Sequence, residues 1–123
     1  MPIFVIHEHH ARKLHYDLRL EMNKVLKSWA VPKEPPRTKG IKRLAIQVED
    51  HALSYADFEG VIEEGYGKGT VKIWDNGKYE IKEKAENKMV LTLFGKKLKG
   101  EYVLLKLKPS PRFKGKNNWL FKK

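Results

Sequence analysis

The stretch His9-His10-Ala11-Arg12-Lys13-Leu14-His15-Tyr16-Asp17-Leu18-Arg19-Leu20-Glu21 concentrates side chains that can bind a cation and a phosphate. From Leu14 onward apolar and polar residues alternate strictly. A strand with this alternation puts Leu14, Tyr16, Leu18 and Leu20 on one face and His15, Asp17, Arg19 and Glu21 on the other. Same-face neighbours stand about 7 Å apart at the backbone, and two such side chains can converge on one cation about 2.0–2.2 Å from each donor atom. His15 and Asp17 therefore form a candidate ligand pair, and Arg19 beside them suits neutralising and orienting a phosphate. His9 precedes them on the far side of His10-Ala11-Arg12, and a bend there would return it to the same pocket. Two imidazoles and a carboxylate leave positions for water and a phosphoryl oxygen, as metal-assisted hydrolysis requires. The chain has no cysteine, so a metal would be held by His, carboxylate, carbonyl or water. The same alternation also fits a solvated sheet face, and the strand pattern by itself leaves both readings open.

A second cluster, Glu49-Asp50-His51 followed by Tyr55, Asp57 and Glu59, closes the apolar run Leu44–Val48. A His at a strand end on the rim of a sheet can protonate a leaving oxygen or donate a hydrogen bond to phosphate. The alternative is a turn histidine held by Asp50. Asp57-Phe58-Glu59-Gly60 and Glu64-Gly65-Tyr66-Gly67-Lys68-Gly69 could let backbone N–H groups approach a phosphate, or serve as turns. Neither P-loop nor GxGxxG spacing is present.

These residues need a scaffold of strands. Val, Ile, Leu, Tyr and Trp recur with period two in short segments separated by glycine-containing turns. Strands are predicted over Ile3–His7, Lys13–Glu21, Val25–Ala30, Leu44–Glu49, Thr70–Asp75, Lys78–Lys82, Met89–Phe94, Glu101–Lys108 and Asn118–Phe121. Asn76-Gly77 reads as a two-residue hairpin turn, because both positions tolerate positive φ. The proline-rich stretch 31–40 excludes a helix or a central strand. So many short strands must hide their edges, which predicts an all-β fold: a compact closed antiparallel barrel of about eight strands, with a central cavity or mouth as the active-site pocket.

A length of 123 residues, 41% apolar, supports one core and hence a single domain over residues 1–123. Lys and Arg number 26 against 15 Asp and Glu, a net charge of +11, and such a field attracts polyanions. The basic excess crowds the last third of the chain, from Lys96 to Lys123, whereas acidic residues gather between Glu49 and Glu64. Nucleic acid is the partner this distribution suggests. No apolar run of about 18 residues and no signal-peptide core is found, so a cytoplasmic protein without membrane association is expected.

The strings HHARKLHYDLRLE, VLKSWAVPK, KRLAIQVEDHALSYADFEGVI and GTVKIWDNG stand in this order. In them the chain resembles the 3′-phosphoesterase domain of bacterial DNA ligase D, in the stand-alone form found in archaea and some bacteria. The resemblance is dense from about Phe4 to about Gly77 and thins over the basic C-terminal third. It implies a β-barrel whose pocket binds manganese and the 3′ end of a primer strand; an N/O ligand set also accepts other divalent transition metals such as Co2+ or Zn2+. The implied activity heals DNA or RNA-containing 3′ ends: removal of a terminal ribonucleoside, then hydrolysis of the 3′-phosphate to 3′-OH.

Carried over residue by residue, the resemblance makes His9, His15 and Asp17 the metal ligands and Arg19 a phosphate contact. His51 and Tyr55 become essential residues, Lys33 and Arg43 basic phosphate contacts, and Glu49 an acidic residue near the pocket. Bacterial relatives carry an N-terminal arm that assists ribonucleoside removal, whereas this sequence starts almost at the motif, so 3′-phosphate hydrolysis is the primary expectation. His7 stands where relatives often have Gln, and is expected near the metal or a bound water; the glycine loop is one residue shorter. A monomer is expected, working beside a separate DNA ligase and polymerase. The competing expectation is a non-catalytic basic barrel that binds nucleic-acid ends through stacking on Trp29, Trp74 or Tyr66.

Overall fold

In the computed structural model, which describes residues 1–65 and 68–123, period-two alternation builds nine antiparallel strands. They are β1 (Ile3–His10), β2 (Leu14–Met22), β3 (Val25–Val31), β4 (Lys42–Ala52), β5 (Gly60–Ile62), β6 (Gly69–Ala85), β7 (Lys88–Phe94), β8 (Lys99–Lys106) and β9 (Asn118–Lys122). A short 3-10 turn, Leu53–Asp57, follows β4. The order β1-β2-β3-β4-β9-β8-β7-β6 closes through pairing of β6 with β1, and β5 adds to the start of β6. The fold is an eight-stranded closed antiparallel barrel, as the strand pattern predicts.

Among the described residues the barrel interior is filled by side chains, where a central cavity or mouth was the expectation. Phe4, Ile6, Leu18, Leu20, Trp29, Tyr79, Leu91, Leu93, Tyr102 and Phe121 are all buried in one cluster. In an eight-stranded barrel the interior is just wide enough for side chains to fill it. A second, smaller cluster of Val5, Leu26 and Ala56 with Leu53, Tyr55 and Ile73 forms where the 3-10 turn packs onto the outer face of β1–β3. The polar side chains of β2 share that outer face, so the site lies on the wall of the barrel under the segment after β4.

Two turns correct the sequence expectation. Met22 and Val25 close a tight hairpin whose central residues, Asn23 and Lys24, have φ of 54° and 67°, as a type I′ turn requires. Asn76-Gly77 is no hairpin: β6 runs through it for 17 residues, pairing with β1 in its first part and with β7 in its second. At this changeover the carbonyl of Phe94 approaches so closely that a Cβ on Gly77 would lie 2.2 Å from its oxygen. Gly77 is required by backbone approach. Because the obstructing atom is backbone, Gly77→Ala is expected to destabilise the protein by about 1–3 kcal/mol, measured as a lowered urea midpoint at unchanged m-value.

Candidate functional site

The turn at residues 11–13 folds β1 back onto β2 so that His9 pairs with His15, His7 with Asp17 and Val5 with Arg19. Strand β1 therefore continues past the predicted end at His7 to His10. Odd-numbered residues of both strands rise together from the outer face, and this register brings His9 beside His15. The ligating atoms of His9, His15 and Asp17 all lie within 4.8 Å of one another. His15 Nε2 stands 3.2 Å from Asp17 Oδ1, and His9 Nδ1 3.5 Å from Asp17 Oδ2. Asp17 and His9 are buried and His15 is half-buried. Two nitrogens and a carboxylate at this spacing fit a divalent transition-metal ion.

The electrostatics match an anionic centre among cations. Burial pushes the Asp17 carboxyl up, but the hydrogen bond from His15 and the charges of Arg19, His15 and His9 outweigh it, holding the carboxyl below the usual range. The same hydrogen bond to Asp17 raises His15. A cation entering the site would take the place of that proton.

Arg19, 3% exposed, is held by residues of three neighbouring strands. Its Nε donates to His7 Nδ1 at 3.0 Å, Nη1 to Ser28 Oγ at 2.9 Å, and Nη2 to Asp17 Oδ2 at 3.3 Å. Nη1 also lies 3.1 Å from His51 Nδ1, and the guanidinium sits 5.0 Å from the centre of the Tyr55 ring. A guanidinium has five N–H donors and cannot accept, so these contacts leave one Nη2 hydrogen.

His51 reaches this face through a bulge. Between Leu26 and Ser28 the β3–β4 register slips, placing His51 opposite Leu26. His51 Nδ1 lies between a donor and an acceptor, 3.1 Å from both Arg19 Nη1 and the Glu49 carbonyl, which leaves Nε2 as the ring nitrogen not engaged by these two contacts. Burial and the Arg19 charge lower the pKa of His51. Asp50 does not hold it, but pairs with Lys27 at 3.0 Å. Tyr55, on the 3-10 turn, lies 4.9 Å from the His51 ring and 5.3 Å from the His7 ring, and burial raises its hydroxyl.

His7 departs from expectation. Its Nδ1 accepts from Arg19, and its Nε2 donates to the Phe58 carbonyl at 3.1 Å. Both nitrogens are thus committed to protein, and His7 is no metal ligand. Burial, with the Arg19 charge, holds it down to about 4. The two-residue period puts His7 on the face of His9, but its partner Arg19 lies across the β1–β2 pair and Phe58 beyond the 3-10 turn. Ser28, missed altogether, was legible only as the polar member between Leu26 and Trp29.

Other expected residues stand further out. Glu49 is exposed, and its carbonyl lies 3.1 Å from His51 Nδ1. Asp57 is exposed, and Glu59 Oε2 accepts from Ile73 N at 2.8 Å. Lys33 follows the end of β3, and Arg43 stands near the start of β4. By register this is the end of the sheet that carries His9 and His15. With Pro32, Lys42 and Leu44 they line a depression of about 210 Å³, and Arg43 Nε donates to the Glu34 carbonyl at 2.7 Å. Trp29, 1% exposed and edge-on to Trp119, is core and offers no stacking surface. The Trp74 ring already carries Lys97 at 4.5 Å and Arg37 at 5.1 Å. Tyr66 and Gly67, and with them part of the glycine loop, lie outside the described residues. Among the described residues no helix is long and apolar enough to cross a membrane.

Fold and site together define a closed β-barrel protein with a His-His-Asp cluster and a buried arginine on its outer wall. Residues 7–106 match the family described as the DNA ligase D 3′-phosphoesterase domain. The chain belongs to this family. It is 46% identical over 129 residues to the multifunctional non-homologous end joining protein LigD of Mycolicibacterium smegmatis, covering 95% of this chain and 16% of that protein. It is 47% identical over 109 residues to the protein of the same name from Pseudomonas aeruginosa, covering 84% of this chain and 13% of that one. The multifunctional non-homologous end joining DNA repair protein LigD of Mycobacterium tuberculosis is 47% identical over 108 residues, with 84% of this chain and 14% of that protein covered. The chain thus spans about a sixth or less of the length of these relatives.

Proposed function

We propose that this chain is a metal-dependent 3′-end-healing phosphoesterase, hydrolysing the 3′-phosphate of DNA or RNA-containing primer strands to 3′-OH in non-homologous end joining. The observation that carries the reading is the convergence of His9, His15 and Asp17 beside buried Arg19, in a chain whose relatives are named for end joining. Manganese is the proposed ion, with cobalt and zinc as substitutes, since an N/O donor set accepts several. The bound ion supplies Lewis-acid polarisation of phosphoryl oxygen and lowers the pKa of water.

The protein's own groups then divide the work. His9, His15 and Asp17 fix where the phosphate is presented. Arg19 contributes a permanent positive charge and its remaining Nη2 hydrogen to a phosphoryl oxygen, while the rest of its donors keep it in place. His51 donates a hydrogen bond from Nε2 to the phosphate or the leaving 3′ oxygen. Lys33 and Arg43, at the same end of the sheet, would draw in the strand's phosphates, and Tyr55 packs beside His51 and Arg19. Glu49, on the rim, borders the path to His51. DNA or RNA-containing 3′ ends are the proposed substrates, and DNA ligase and polymerase activities the ones that use the 3′-OH.

The test is an end-processing assay on a 5′-labelled duplex bearing a 3′-phosphate or a 3′-terminal ribonucleotide. Manganese should support conversion of the 3′-phosphate to 3′-OH, and a chelator should stop it. A mobility shift without conversion in manganese, cobalt or zinc would instead identify a non-catalytic binder of ends.

A further inference from the structure

His7 is fully buried, yet it belongs neither to the core nor to the metal cluster. Its two hydrogen bonds determine its state. Arg19 Nε can only donate, so Nδ1 accepts; the Phe58 carbonyl can only accept, so Nε2 carries the proton. The ring is thus a neutral spacer between the guanidinium and the segment that follows the 3-10 turn. Across the sheet Ser28 plays the matching part, accepting from Arg19 Nη1 and donating to the Leu26 carbonyl at 3.1 Å. Arg19 sits on the central strand of the three, with one acceptor on each neighbour. An arginine side chain has several rotatable bonds, and acceptors on both sides remove that freedom before substrate arrives. The Nη2 edge, beside Asp17, is the one left for phosphate.

We propose that His7 is a positioning residue for Arg19, required as a neutral side chain that accepts from the guanidinium and donates to Phe58. This deepens the phosphoesterase reading and rests on it for its catalytic consequence, but not for its structural one. Glutamine offers the same pair of functions through its carbonyl oxygen and amide N–H, whereas leucine offers neither.

The experiment compares wild type, His7→Leu and His7→Gln in three measurements: the Arg19 Nε–H resonance in 15N-labelled protein, Mn2+ affinity by calorimetry, and kcat and KM for 3′-phosphate release. Wild type should show a slowly exchanging Arg19 Nε–H. His7→Leu should shift it and speed its exchange, and should lower kcat by about tenfold to a hundredfold, the scale of a misplaced catalytic group. Mn2+ affinity should stay at the wild-type value, and His7→Gln should restore both the resonance and kcat. A wild-type resonance and kcat in His7→Leu would overturn the proposal, as would loss of Mn2+ affinity with the resonance unchanged. Should His7→Leu not fold, His7→Gln decides: a protected Nε–H supports the positioning role and a lost one refutes it. If the wild type released no phosphate, the resonance would still judge His7, and only the phosphoesterase reading would fail.

Discussion

Asp17→Asn protein is expected to fold and yet release 3′-phosphate at least about a thousandfold more slowly than wild type. The carboxylate serves His9, His15 and Arg19 at once, through contacts of 3.2–3.5 Å. Asparagine preserves the shape and one carbonyl oxygen for Arg19, but removes the negative charge on which a cation depends. Metal assistance is worth several kcal/mol of transition-state stabilisation, and about 4 kcal/mol corresponds to roughly a thousandfold in rate. Asp17→Ala is the poorer probe, because stripping a buried partner from Arg19 would itself cost about 3–5 kcal/mol of stability. Steady-state release across a manganese titration, with the thermal melt as a fold control, is the measurement. Near-wild-type turnover by folded Asp17→Asn would contradict the ligand assignment.

The second large effect lies away from the chemistry. Asp75, 4% exposed, accepts three backbone N–H groups of the β7–β8 connection: Lys96 on Oδ1 at 2.8 Å, and Lys97 and Leu98 on Oδ2 at 3.1 and 2.8 Å. Gly95 leaves room for it, since a Cβ there would meet Asp75 Oδ2 at 2.3 Å. Asp75→Ala is expected to cost about 3 kcal/mol or more, because hydrogen bonds to a charged acceptor contribute about 1.5–3 kcal/mol each and one orphaned N–H belongs to buried Leu98. Against a typical stability of about 5–15 kcal/mol that is a substantial part. Asp75→Asn should recover little, since its amide nitrogen would face donors. Urea unfolding checks both variants, and an Asp75→Ala midpoint equal to wild type would show that the loop holds itself.

These two aspartates also mark what the sequence makes legible. Asp17 sits in strict alternation, so its face and its neighbours His15 and Arg19 follow from a two-residue period. His9 joins them because the chain reverses at residues 11–13, a local event. Asp75 has the same alternation, but its partners are backbone N–H groups more than twenty residues away and leave no side-chain signature. Asn76-Gly77 misleads for a related reason: a local turn signal is overruled by pairing with β1 and β7, while the less conspicuous Asn23-Lys24 makes the tight turn. Alternation likewise cannot say which side of a closed sheet is the interior. The polar face of β2 proves to be the outer wall, and the apolar face fills the lumen that a ligand pocket was expected to occupy.

The central claim is that His9, His15 and Asp17 hold the ion that serves phosphoester cleavage. Anomalous diffraction from crystals soaked in manganese addresses it directly. The predicted result is one dominant peak about 2.0–2.2 Å from the His9 and His15 nitrogens and an Asp17 oxygen, with Arg19 alongside. A dominant peak elsewhere, or none at manganese concentrations that support 3′-phosphate release, would contradict it.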